Sequence, residues 1–421
     1  MRIASLCMLS IGAAAAFLAG CGGSPSPIGA PATSAQTGQA DGVAHHSPTT
    51  SSYQVLHRFG HAKQVQVRGG VHPDGGLAIV DGTLYGTTGS GGIQGLNGVV
   101  YGISTTGRKR VLHHFRGYQR GDGSDPTGDL TNVHGGLYGT TSGGGDCLFG
   151  TVYRISTTGT VKVLHGFCGS GLSNPSGGVV DVNGTLYGTA SPSTFGGVYS
   201  VSMSGAYNVL YMFKGPNYGD GYGPGGRLLN VNGTLYGTTN GGGTGCNGSG
   251  CGIVYSVTTS GKEKLLYSFQ GGSDGDFPTS GLINVNGTLY GTTFYGGNSG
   301  CGNYGYYSCG TIYSISTSGK EKVLYRFAGA SDGANPDAGL LEMNGVLYGT
   351  TAHGGSNNAG TVFSFSTSGG EQVLHTFGAS GDGANPAADL NEMNGTLYGT
   401  TLNGGLTSCS KGCGTVFALT P

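Results

Sequence analysis

Tryptophan is absent from this chain of 421 residues, and charge is scarce: 19 Lys and Arg stand against 20 Asp and Glu, 9% of the residues, where a soluble domain usually carries about a quarter. With a net charge of −1, the chain has no basic field to hold nucleic acid or an anionic lipid surface, so nucleic acid is not expected as a partner. Its apolar run at the N-terminus, within Met1 to Gly20, is too short to span a bilayer as a helix. No loop alternates acidic residues as a calcium site does, so the recurring Asp-Gly pairs are read as turn chemistry. Nucleophilic catalysis lacks support as well. His57, His113, His165 and His375 share one repeat position with Tyr211, Tyr267 and Tyr325, and a position that accepts either ring serves packing. His353 stands alone, and the paired carboxylates of a glycosidase cannot be located from the sequence.

Glycine is abundant, at 91 residues, and the chain repeats itself. Leu-Tyr-Gly-Thr recurs with its tyrosine at Tyr85, Tyr138, Tyr187, Tyr236, Tyr290, Tyr348 and Tyr398, in steps of 53, 49, 49, 54, 58 and 50 residues. A period near fifty marks a repeat architecture. Each unit carries four segments of strand character. Strand a is followed by Asn-Gly in five units (Asn183, Asn232, Asn286, Asn344, Asn394) and by Asp81-Gly82 and His134-Gly135 in the others; such pairs tolerate the positive φ of a two-residue hairpin. Strand b is Leu-Tyr-Gly-Thr-Thr. Strand c is Gly-Thr-Val-Tyr or a variant, and strand d is Val-Leu-(His/Tyr)-x-Phe, rich in residues that suit a pleated surface. A proline twelve residues before every repeat tyrosine, from Pro73 to Pro386, suits the start of an innermost strand after a turn.

The ends decide between an open stack and a ring. The first strand d, Val55 to Phe59, precedes any strand a, b or c, while the last unit has a, b and c but no d. The two fit only if they meet. The expected fold is all-β: a seven-bladed β-propeller over residues 53–421, closed by the N-terminal strand pairing with the C-terminal blade, with exposed edges removed. A linear β-solenoid gives no reason for split ends. A closed ring of this kind is expected to act as a monomer.

Ahead of the ring, Leu18-Ala19-Gly20-Cys21 resembles a bacterial lipoprotein signal. The resemblance implies a cleaved peptide over residues 1–20 and lipid on Cys21, which would be the contact with the membrane. Gly22 in place of Asp implies sorting to the outer membrane if the source is Gram-negative. Residues 21–52 then form the lipidated Cys and a disordered tether, rich in Ser, Pro, Ala, Thr and Gly, which holds the ring on the order of 30 Å from the bilayer. Of ten cysteines, eight lie beyond the signal and anchor, an even number in an exported chain and so a disulfide set. Proximity suggests Cys246 with Cys251, Cys301 with Cys309, Cys409 with Cys413, and Cys147 with Cys168. The alternative for such close spacings, zinc, lacks partner pairs.

The b–c and d–a connections vary in length and share one rim, where a rigid scaffold concentrates binding residues. The longest insertion, in unit five, carries Tyr295, Tyr304, Tyr306 and Tyr307, and the nearby spacer adds Tyr218 and Tyr222. Tyrosines among Gly, Asn and Ser make an adaptable contact surface, expected to take a glycan or protein ligand unless the rings cover their own loops. A second candidate is a polar ring six residues before each repeat tyrosine, at Ile79, Asn132, Asp181, Asn230, Asn284, Glu342 and Glu392, facing the channel as solvated wall or as a cation site.

The four motifs in fixed order, from Leu-Tyr-Gly-Thr-Thr through Gly-Gly and Gly-Thr-Val-(Tyr/Phe) to Val-Leu-(Tyr/His)-x-Phe, resemble the bacterial GloVer tandem-repeat family over about Tyr53 to Pro421. The Gly-Gly and the strand d aromatic also resemble kelch blades, although the kelch tryptophan is missing. The family resemblance implies an exported or surface protein without an established activity. No cofactor is expected. The favoured reading is a lipid-anchored binding or adhesion scaffold for a glycan, cell-wall or protein ligand. The alternatives are a propeller lyase or hydrolase using channel carboxylates and a metal, and a purely structural envelope protein.

Overall fold

Each repeat turns on two successive residues with positive φ. At Asp81, His134 and the five Asn of the Asn-Gly pairs φ is 47–55°, and at the glycine that follows it is 71–85°, the geometry of a two-residue hairpin that keeps the strand twist. The residue two before the turn closes it. Asn132, Asp181, Asn230, Asn284, Glu342 and Glu392 each accept the turn glycine's N–H through a side-chain oxygen, at 2.6–3.1 Å.

The computed structural model describes residues 51–60, 68–93, 97–117, 121–169, 171–191, 194–297, 308–367 and 370–421. Among these lie seven four-stranded antiparallel sheets. Blade 1 has strands a to d at Ala78–Val80, Thr83–Thr88, Val99–Ser104 and Lys109–His114. Blade 2 has Thr131–Val133, Gly136–Thr141, Thr151–Ile155 and Val161–Gly166. Blade 3 follows with Pro175–Val182, Thr185–Ala190, Gly197–Ser202 and Tyr207–Met212, and blade 4 with Gly221–Val231, Thr234–Gly242, Ile253–Thr258 and Glu263–Ser268. Blade 5 comprises Ile283–Val285, Thr288–Thr293, Thr311–Ser316 and Glu321–Arg326; blade 6 comprises Leu341–Met343, Val346–Thr351, Thr361–Ser366 and Glu371–Thr376. Blade 7 takes Asn391–Met393, Thr396–Thr401 and Thr415–Thr420 from the C-terminus. Its outermost strand is Ser52–Arg58, antiparallel to Thr415–Thr420 with Tyr53 opposite Leu419 and Val55 opposite Phe417. A register shift between Val55 and His57 recurs where strands c and d pair in every other blade, so the borrowed strand is a strand d in detail as well as in place.

The core is a wheel of aromatic pairs. The strand c aromatics Tyr101, Tyr153, Tyr199, Tyr255, Tyr313, Phe363 and Phe417 are buried, and each meets edge-on the phenylalanine that directly follows strand d of the preceding blade. Centroids are 4.9–5.2 Å apart, from Phe59–Tyr101 to Phe377–Phe417. Each such pair contributes about 0.5–1.5 kcal/mol beyond the area it buries. The glycine of Leu-Tyr-Gly-Thr exists for these rings: a Cβ on Gly237 would lie 2.5 Å from Tyr255 Oη. Phe59 belongs to blade 7 and Tyr101 to blade 1, so the wheel has no gap. Among the described residues no helix is long and apolar enough to cross a membrane.

Candidate functional site

On the rim, three disulfides fix the variable loops. Cys147–Cys168 ties the b–c loop of blade 2 to the chain leaving its strand d, with Cα atoms 4.7 Å apart. Cys246–Cys251 and Cys409–Cys413 cross the b–c loops of blades 4 and 7. Cys309 is also disulfide-bonded; Cys301 lies outside the described residues. Disulfides on this scale fit an oxidising, extracytoplasmic environment.

The rim tyrosines divide. Tyr218, on the 3-10 turn Pro216–Tyr218, is 78% exposed. It lines a cleft of about 280 Å³ between blades 3 and 4 with Tyr211, Lys214, Asp220, Glu263 and Leu265. Phe195, Met212 and Leu265 are further exposed apolar side chains in blades 3 and 4. Tyr222 instead lies over Gly241, with its ring 6.5 Å from Phe195. Tyr295 packs in its own loop, 4.7 Å from Phe294 and 5.7 Å from Phe277. Tyr304, Tyr306 and Tyr307 lie outside the described residues.

Beneath this rim a repeated hook was hidden in the Asp-Gly pairs. Asp122, Asp220, Asp274, Asp332 and Asp382 each accept a hydrogen bond, at 2.7–3.0 Å, from the His or Tyr at the shared strand d position. The first four also take a backbone N–H from the loop entered after strand d. The shared position is therefore packing plus a loop latch. The next blade adds a second carboxylate at three interfaces, where Glu263, Glu321 and Glu371 adjoin Tyr211, Tyr267 and Tyr325. Burial, and then the hook aspartate's charge, raise Glu321 and Glu371 to about 7. At the closing blade Tyr53 takes this place, stacked on His375 at 3.5 Å and donating to Asp382. Burial alone would raise Asp382, but hydrogen bonds from His375 and Tyr53 outweigh it and hold the carboxyl below its usual range. His57, half-buried and near Lys109, is lowered to about 4.

A cavity of about 560 Å³ runs along the axis, lined by the innermost segments of the seven blades. Asn132, Asp181 and Asn230 of the expected polar ring line it, but the six polar members of that ring have the hairpin turns as partners. Three further charged side chains, Asp129, Arg227 and Asp389, border both this cavity and a smaller one of about 150 Å³ on the rim side. Among the described residues the group of His, Cys, Asp and Glu with metal-ligand spacing is Cys246, Cys251 and Asp276, and its two cysteines are spent in a disulfide.

Fold and rim together define a disulfide-pinned β-propeller built from one tandem repeat. The chain belongs to the Gloeobacter/Verrucomicrobia repeat family, whose model matches residues 32–194, 169–304 and 294–421. No curated protein matches it significantly. Solved structures with a similar fold include a 6-phosphogluconolactonase-like protein of Bacteroides uniformis, at 12% identity over 76% of this chain and 89% of that one, with a TM-score of 0.48. The nidogen/laminin complex matches at 16% identity over 70% and 93%, with a TM-score of 0.43. A gluconolactonase of Xanthomonas campestris matches at 12% identity over 71% and 85%, with a TM-score of 0.42.

Proposed function

We propose that this protein is an envelope-tethered binding propeller, exported, held through a lipid on Cys21 and a tether over residues 21–52, with the b–c/d–a rim presented to a glycan of the cell wall or surface. The observation that carries the reading is the cleft between blades 3 and 4. An exposed tyrosine ring, Tyr218, stands beside an ammonium and two carboxylates, those of Lys214, Asp220 and Glu263. A sugar stacks its C–H face on such a ring and directs hydroxyls to such groups, and an aromatic on a pinned loop costs little entropy to hold. Glycan-array binding of the full chain tests it: Tyr218→Ala should weaken the strongest glycan signal at least about tenfold. Unchanged binding would move the site elsewhere on the rim, and a full chain that retains no glycan would overturn the reading.

A further inference from the structure

Nine residues before each repeat tyrosine, within or two residues ahead of the innermost strands, stand Gly76, Asp129, Gly178, Arg227, Gly281, Gly339 and Asp389 in blades 1 to 7. Four are glycine and three are charged, and the charged three lie at the waist between the two axial cavities. The glycines make room for them. A Cβ on Gly76 would fall 2.6 Å from Asp129 Oδ1, and one on Gly339 would fall 2.9 Å from Asp389 Oδ1. The same glycines orient them: Gly76 N–H donates to Asp129 Oδ1, and Gly339 N–H donates to Asp389 Oδ1 at 2.6 Å. Each carboxylate is thus fixed by the backbone of the preceding blade, and the two border the same cavity of about 150 Å³.

Two carboxyl groups that share so small a cavity repel unless a proton or a cation offsets their charge. Burial, then the charge of Asp129, raise Asp389 to about 7, with Arg227 acting against the rise. On the rim side Asp74 and Asp337 face the same small cavity. Burial raises both, Asp74 to about 7, and Asp74 Oδ1 is buried without a partner. Arg227 is the cation on the walls of these cavities, and it leaves the waist short of positive charge. Two residues further along the innermost strands, Val180, Leu229, Ile283 and Leu341 line the larger cavity as an apolar collar. The donor set does not suit a metal ion: each waist carboxylate already has one oxygen committed to an N–H, a guanidinium stands beside them, and no third carboxylate, His or Cys among the described residues closes with them to metal-ligand spacing. An ammonium head asks for less, having three tetrahedral donors that can bridge two carboxylates.

We propose that the channel waist binds a small organic cation, its primary ammonium between Asp129 and Asp389 and its apolar body against the collar of Val180, Leu229, Ile283 and Leu341. This site is separate from the rim. Calorimetric titration of the full chain at pH 8 with n-hexylamine, hexan-1-ol and calcium chloride tests it. The amine should bind at one site per chain while the alcohol gives no saturable heat. Asp129→Asn and Asp389→Asn, which keep an acceptor for the glycine N–H groups, should weaken the amine by about tenfold or more, the usual cost of losing a charged hydrogen-bond partner, with the unfolding midpoint held. Absence of amine binding, equal binding of the alcohol, unaltered affinity in Asp389→Asn, or calcium binding without amine binding would each overturn it.

Discussion

Replacing Tyr255 by phenylalanine should leave this protein as stable or make it more so. The ring is fully buried and its Oη has no hydrogen-bond partner; the oxygen stands where a Cβ on Gly237 would crowd it. Tyr101, Tyr153 and Tyr313 are in the same condition, and their phenols are pushed far above the usual range by burial. Blades 6 and 7 already carry Phe363 and Phe417 at this position, in the same edge-on contact with the preceding blade. An unpaired buried hydroxyl costs about 1–3 kcal/mol, and the small void left by the missing oxygen returns part of that. The expected change for Tyr255→Phe is therefore between zero and about 1 kcal/mol of stabilisation. Because the four positions sit in different blades, the quadruple variant should give close to the sum of the singles. Guanidinium unfolding followed by fluorescence and circular dichroism measures it. A loss of more than about 1 kcal/mol in any single variant would show that the hydroxyl has a partner and would refute the reasoning.

The aromatic wheel and the raised carboxyls give two more outcomes. Phe269→Ala removes a buried ring from the interface between blades 4 and 5 and should cost about 3–5 kcal/mol; a cost below about 1 kcal/mol would mean that the interface closes without it. Glu371, raised to about 7, has an Oε1 that is buried without a partner; an acid raised in the fold lends stability that is whole below about pH 4 and is lost as pH rises through 7. Glu371→Gln should thus raise the unfolding midpoint at pH 8 and leave it nearly unchanged at pH 5, and equal shifts at the two pH values would contradict that linkage.

Much of the ring is legible in the residues because its constraints are local and repeated. A positive-φ pair such as Asn394-Gly395 names a hairpin, and an orphan Val55–Phe59 at one end with a missing strand at the other names a closure. The polar position six before each tyrosine is visible but ambiguous. A side chain that caps a turn three residues on and one that faces a channel leave the same polar signature, and Asn132 does both: it accepts the Gly135 N–H and lines the axial cavity. The hooks stay hidden because the spacing from ring to aspartate varies with the loop, from Tyr267 and Asp274 to Tyr211 and Asp220. The waist charges escape notice for another reason. In a column that is glycine in four blades, Asp129, Arg227 and Asp389 read as scattered exceptions, and only the closed ring brings exceptions from blades 2, 4 and 7 to one place.

Closure can be tested at the seam itself. Gln54 and Ala418 pair across it in register, at a spacing that antiparallel neighbours and disulfides share. In the chain carrying Gln54→Cys and Ala418→Cys, mild oxidation should join the two positions within one molecule, as a single disulfide-linked peptide in mass spectrometry. Absence of that peptide, or its appearance only between two chains, would contradict a ring latched by its own N-terminal strand.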